Sequence, residues 1–185
     1  LNLIRGTGTT GLGGMKPRNG SIIRPMLQVS RSDVLAFLAE SGETYCQDET
    51  NAENTAVRNR IRNELLPLLA TYNPAISESL CKTAELLAQD EALLSHLANE
   101  AEQTITEGSG LERKALAALP LPIGSRIVRK RLLALSGNVS ESDIRRVLAL
   151  ADAQTGTVIE LGSGFSAWTD AQALFAGIYP DVLQY

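Results

Sequence analysis

Arg58, Arg60 and Arg62 fall within five positions, downstream of the polar run Gln47-Asp-Glu-Thr-Asn51 and upstream of the apolar run Leu65-Leu-Pro-Leu-Leu69. On an α-helix Arg58 and Arg62 stand at i and i+4 and share a face. Two guanidiniums on one face repel unless an anion lies between them. The planar guanidinium fork binds carboxylates and phosphates alike in bidentate fashion. The partner is therefore either a carboxylate of this chain, such as Asp48 or Glu49, or a phosphate on a ligand. The first makes a solvated, salt-bridged helix start, and the second makes an anion-handling joint.

A second set of cations lies further along. Arg126, Arg129, Lys130 and Arg131 fall on one expected helix, and Arg145 and Arg146 on the next. The net charge of −4 conceals this block. Residues 1–70 carry +1, 71–110 carry −6, 111–150 carry +5 and 151–185 carry −4. A chain that touches RNA only through its basic block can be acidic overall. The same charges also suit the solvated face of two ordinary helices.

The elements that must position these residues follow from periodicity. Gly6, Gly8, Gly11, Gly13 and Gly14 punctuate the first fifteen residues, and Arg5-Gly-Thr-Gly8 reads either as a flexible loop or as a backbone nest for an anion. Ser21–Arg24 reads as a short strand ended by Pro25. Ser30-Arg-Ser-Asp33 is a capping-box start for a helix burying Val34, Phe37 and Leu38 and stopping at Gly42. A helix is expected over 55–70, with a kink or early end at Pro67. Asn73-Pro74 marks the clearest boundary.

The spacing of Leu80, Ala84, Leu87, Leu94, Ala98, Ala101 and Ile105 predicts a long amphipathic helix over 74–106, interrupted by Glu91. Gly108–Gly110 reads as a loop and 111–119 as a short helix. A helix starting near Pro122 buries Ile127, Val128, Leu132, Leu133 and Leu135. Ser140-Glu-Ser-Asp143 caps the next, with Ile144, Val147, Leu148 and Ala151 inward. From Thr157 the period becomes two, giving strands at 158–161, 165–168 and 173–178. Trp168 would cap this sheet, with base stacking as the alternative.

The order of motifs carries a resemblance. Leu3-Ile-Arg-Gly-Thr-Gly8, Gly11-Leu-Gly-Gly-Met15, Ile23-Arg-Pro-Met-Leu27 with Arg31, Asp48-Glu-Thr-Asn51, Arg58-Asn-Arg-Ile-Arg62 and Leu65-Leu-Pro-Leu68 resemble the motif series of the tRNA(Ile)-lysidine synthetases. The match is dense over 1–74 and diffuse afterwards. It implies a fold that is mainly α with short β. Residues 1–73 would be the C-terminal portion of an adenine-nucleotide α-hydrolase-like α/β domain, the PP-loop ATPase-like catalytic domain. Residues 74–185 would be a helical tRNA-binding domain with a small antiparallel sheet.

The resemblance also implies an activity: lysine is ligated to the wobble cytidine of a tRNA(Ile) with a CAU anticodon through an adenylated base. The partners it implies are ATP with Mg2+, L-lysine and tRNA(Ile), in the cytoplasm. The family's Ser-Gly-Gly-x-Asp-Ser loop is not in this sequence, which places the main ATP site outside it. Leu1–Ile4 reads as the end of a helix already under way, and Tyr185 as a second abrupt end. The expectation is a piece of a longer enzyme, inactive alone, whose exposed domain edge would let two copies associate. On this resemblance Arg5 and Arg62 take catalytic roles beside the nucleotide. Arg58, Asp48 and Asn51 support substrate binding, the latter two by holding the arginine helix, and the six cations of 126–146 meet tRNA.

Other readings remain open on the sequence. They are a tRNA thiolase of the same fold, a non-catalytic RNA-binding module, and a helical scaffold. Cys46 and Cys81 do not form a disulfide framework and are expected to be buried thiols in a reducing compartment. They sit in unrelated contexts, which weakens the thiolase reading. His96 is the only histidine and lacks neighbours at ligand spacing, so metal binding is not expected. No apolar run approaches the roughly 20 residues of a membrane span.

Overall fold

The computed structural model describes residues 1–46, 56–162 and 164–179. It is mostly helical with a small antiparallel sheet, and it divides into two compact units, Leu1–Glu91 and Ala92–Tyr185.

In the first unit, Leu1–Arg5 makes a helical turn closed by Arg5 N–H to the Leu1 carbonyl at 3.2 Å, and Gly6 ends it at φ +71°. The short helix α1 (Thr9–Leu12) follows. A two-residue hairpin comes next, β1 (Arg18–Asn19) paired with β2 (Ile22–Ile23). The expected strand at 21–24 is therefore shorter, and its partner was not foreseen. Helix α2 (Arg31–Ser41) carries the full capping box of Ser30 and Asp33, and Gly42 closes it at φ +67°. Phe37 is the exception to the expected buried face. It is 66% exposed, while Val34, Leu35 and Leu38 are half-buried.

The segment expected as one helix over 55–70 is built in three pieces: α3 (Val57–Arg60), a π-turn (Ile61–Leu65) and α4 (Leu66–Tyr72). Pro67 does not end it. A proline inside an α-helix loses one hydrogen bond and pushes its ring against the carbonyl four residues back. The π-turn avoids that register, with Leu66 N–H bonded to the Ile61 carbonyl, and Pro67 enters α4 near its first residue. Asn73 then leaves the helix, and its side-chain oxygen accepts from Ala75 N–H at 3.0 Å, as the Asn-Pro turn predicts.

Helix α5 (Ile76–Ile105) is the long amphipathic element. The division into compact units falls inside it, after Glu91. Mid-helix, α5 meets α1 and the residue that follows it. A Cβ at Gly13 would stand 3.2 Å from the Ala88 methyl, and Thr9 Oγ1 donates to Glu91 Oε2 at 2.6 Å. Glu91 breaks the apolar stripe because a hydroxyl waits for it there. The stripe itself runs from Ala84 to Ile105; Leu80 is exposed.

The second unit holds the buried core, formed among others by Ala98, Ile105, Leu111, Leu116, Ile127, Val128, Ile144, Val147 and Leu174. After α5 come β3 (Thr106–Glu107) and β4 (Gly110–Glu112), joined by a tight turn with Gly108 at φ +56°. This hairpin replaces the expected loop, and Leu111 is strand rather than helix. Helices α6 (Arg113–Ala118), α7 (Leu121–Ser136) and α8 (Glu141–Ala149) follow.

Helix α7 buries Ile123, Gly124, Ile127, Val128 and Leu132. Leu133, expected inward, is 40% exposed, because the buried stripe turns with the helix through Val128 and Leu132. Helix α8 carries the expected Ser140–Asp143 capping box. Strands β5 (Val158–Gly162), β6 (Phe165–Thr169) and β7 (Ala173–Gly177) match the period-two expectation and complete an antiparallel sheet of order β3-β4-β7-β6-β5.

Strand alternation gives the sheet two distinct faces. Leu111, Ala167 and Leu174 join the helical core. Trp168 pairs across the ladder with Phe175 on the other face, stacking at 5.7 Å, and Tyr179 meets its edge at 5.2 Å. Among the described residues, no helix is long and apolar enough to cross a membrane.

Candidate functional site

The π-turn determines how the arginine cluster is presented. Arg58, Arg60 and Arg62 are all exposed, whereas Ile61, Leu65, Leu66 and Leu69 are half-buried. Arg60 Nε lies 3.7 Å from Glu64 Oε2, an exposed pair that stabilises little. Arg58 and Arg62 make no hydrogen bond or ion pair among the described residues. Arg5 is likewise exposed, one residue before the positive-φ Gly6. Asp48 and Asn51, read as supports of the arginine helix, lie outside the described residues, as does Glu49. The chemistry available at Arg58 and Arg62 is that of two exposed, permanently charged forks, suited to phosphate.

The basic block behaves differently from what its charge suggests. Lys130 Nζ donates to Glu102 Oε2 and to Asn99 Oδ1, both at 2.8 Å. Arg131 Nε donates to Glu102 Oε1 at 2.8 Å, and its two terminal nitrogens reach the Ser109 carbonyl and Thr106 Oγ1. Glu102 thus clasps α7 to the end of α5, and Arg131 ties down the β3–β4 turn. The outward reading of Arg131 is corrected: its side chain is only 25% exposed. Sequence inspection missed Glu102, although its place beside Ala101 and Ile105 on the buried side of α5 was a signal.

The remaining cations are more available. Arg129 is exposed and unpaired among the described residues. Arg126 is half-buried and donates to the Pro122 carbonyl at 2.8 Å. Arg145 pairs with Glu141 at 3.2 Å with both side chains largely exposed. Arg146 reaches the Glu160 carbonyl at 2.9 Å and lies 3.5 Å from Asp143.

The clasp has a consequence for pH. Partial burial raises the Glu102 carboxyl, but hydrogen bonds and charge from Lys130 and Arg131 together outweigh it, and the group sits below its ordinary value of 4.5. A lowered folded value means the stabilisation is present above the unfolded value and is lost as pH falls through the folded one. Glu102→Gln is expected to cost about 1 kcal/mol at neutral pH, a modest figure because Lys130 is largely solvated. It should also flatten the fall in stability below about pH 4.5. Urea unfolding at several pH values checks this, and an unchanged acid limb would remove the clasp from the account.

Cys46 and Cys81 are both exposed, contrary to the expected burial. They fall in the first unit, where no described residue is fully buried. His96 is exposed and sits 3.4 Å from Glu100. Among the described residues no group of three or more His, Cys, Asp or Glu could hold a metal ion.

Residues 1–69 match the PP-loop domain family. That stretch contains Arg5, the three clustered arginines and the π-turn. The chain is also 36% identical to the tRNA(Ile)-lysidine synthase of Mycolicibacterium paratuberculosis over 99% of its own length and 57% of that protein. The chain is a homologue of the tRNA(Ile)-lysidine synthases. It is 40% identical to the synthase of Bacteroides thetaiotaomicron over 66% of this chain and 29% of that protein. It is 36% identical to that of Geobacter sulfurreducens over 81% and 33% respectively. The chain thus spans about a third of the length of the latter two. The PP-loop match implies an adenine-nucleotide α-hydrolase fold for the first stretch.

Proposed function

We propose that this chain works as part of a tRNA(Ile)-lysidine synthase, a cytoplasmic enzyme that ligates lysine to the wobble cytidine of tRNA(Ile) at the expense of ATP. The observation that carries the reading is the synthase homology across nearly the whole chain, with the PP-loop match ending just past the exposed arginines. Adenylation of the base turns a poor leaving group into a good one, and the lysine ε-amine then displaces AMP. Both steps pass through extra negative charge on phosphate oxygens. Arg62, Arg58 and Arg5 are positioned in the sequence to stabilise that charge, since fixed cations act most strongly where charge develops. ATP is a substrate here. The described residues offer guanidinium donors for its phosphates and no carboxylate cluster for Mg2+, so no metal is assigned to them.

Residues 1–73 belong in this reading to the PP-loop catalytic domain, and 74–185 to a tRNA-binding domain. Incubating the full-length protein with unmodified tRNA(Ile) transcript, ATP and labelled lysine tests the activity. Label must appear on the RNA and must require ATP.

Within the basic block the clasp narrows the tRNA contacts. Arg129 and Arg145 are the clean probes, because altering Lys130 or Arg131 also breaks the tie to Glu102. Arg129→Glu is expected to weaken tRNA binding several-fold and to reduce the slope of log K against log salt by about one unit. A salt titration of affinity reads this directly. An unchanged slope would take α7 out of the interface and favour a purely structural role for it.

A further inference from the structure

On an uninterrupted α-helix, Arg62 stands at i relative to Leu65, Leu66 and Leu69 at i+3, i+4 and i+7, which is a single face. Those three leucines are half-buried, and an α-helix would carry Arg62 in among them. Arg62 is instead exposed. Arg62 lies inside the π-turn Ile61–Leu65, whose wider winding lies between it and Leu66 and Leu69. One added residue rotates the helix before the turn against the helix after it by about 100°, and Arg62, inside the turn, takes part of that rotation relative to Leu66 and Leu69. Single π-turns inside helices recur at functional sites. Here the turn coincides with a candidate site and has an identifiable cause in Pro67, which cannot donate to the Asn63 carbonyl as the α register would require.

We infer that Pro67 is a positioning residue for the ligation reaction: by excluding the α register it maintains the π-turn that holds Arg62 clear of the leucine face and available to a phosphate. The inference rests on the synthase reading and on the role given there to Arg62. Pro67 is itself exposed, so its side chain contributes no core packing. Alanine is moreover the better helix former. Local physics therefore predicts that Pro67→Ala leaves the fold intact or firmer. The inference predicts that it nevertheless lowers activity, because the relaxed helix rotates Arg62 toward the leucines.

The test is a double-mutant cycle in the full-length protein, reading ATP-dependent lysine incorporation, with melting temperature measured alongside. Pro67→Ala is expected to lower kcat by about 10-fold without lowering the melting temperature. In an Arg62→Ala background the same change should cost less than about 2-fold, since residues that act through one another are not additive. A purely structural proline would give losses that multiply. An active wild type matched by Pro67→Ala within about 2-fold, or a double variant whose loss is the product of the single losses, overturns the role of Pro67 alone. A wild type that incorporates no lysine overturns the synthase reading itself.

Discussion

Arg62→Ala in the full-length protein is expected to lower ATP-dependent lysine incorporation by about 100-fold or more, the loss typical of removing one fixed donor from a site where charge develops. The structure makes this a clean substitution. Arg62 is exposed and bonds to nothing among the described residues, so its removal leaves no buried group unsatisfied. Arg60 supplies the internal control. It has the same chemistry two residues away but is occupied by Glu64, and Arg60→Ala should cost no more than about 3-fold. Arg62→Lys should recover only part of the activity, because an ammonium keeps the charge and loses the bidentate fork. Affinity for tRNA should be almost unchanged if 74–185 provides most of the RNA contacts. Labelled lysine on the transcript and filter binding separate these effects. If Arg62→Ala and Arg60→Ala were equally active, the nucleotide-facing role of this cluster would have to be abandoned.

Features set by neighbouring residues were legible in the sequence. Ser30 with Asp33, and Ser140 with Asp143, form the capping boxes their spacing announces. In both, the serine bonds hold the aspartate below its ordinary value. The three C-terminal strands follow from alternation and from glycine turns. Features set by partners far away in the chain were not legible. Glu91 looks like a fault in an apolar stripe until Thr9, eighty-two positions away, is found beside it. Lys130 and Arg131 look like free cations until Glu102 appears. Charge sign alone does not say whether the counter-charge is internal or belongs to a ligand.

The β3–β4 hairpin escaped for another reason. Its strands are two and three residues long, too short for alternation to register, and its pairing with β7 decides it. The π-turn is a matter of hydrogen-bond register, which side-chain periodicity cannot report. Proline was expected to kink or end the helix at 67, and the helix instead runs on past it after a widened turn.

Arg113→Ala is expected to be the most destabilising single substitution proposed here, at about 3 kcal/mol. Nothing in the sequence distinguishes Arg113 from the solvated cations around it, yet it is 9% exposed. Its backbone N–H bonds to the Gln172 carbonyl at 2.9 Å, continuing the β4–β7 ladder. Its side chain then enters the turn that closes the helical layer. Nε donates to the Ala151 carbonyl at 3.2 Å, one terminal nitrogen to the Asp170 carbonyl at 2.8 Å, and the other to the Ala153 carbonyl.

One guanidinium therefore joins the chain after α8 to the β6–β7 turn. The Asp170 carboxylate below it is held under its ordinary value chiefly by the Ala173 and Gln172 N–H groups, with the Arg113 charge contributing least. Truncation would leave several carbonyls without donors and would open space between sheet and helices. Both costs exceed what one alanine can recover in conformational entropy. Arg113→Lys should rescue little, since a single ammonium cannot span three carbonyls that diverge around a planar fork. Urea unfolding of the two variants measures this. Near-equal loss in both identifies geometry as the contribution, whereas full rescue by lysine would mean that charge beside Asp170 is what matters.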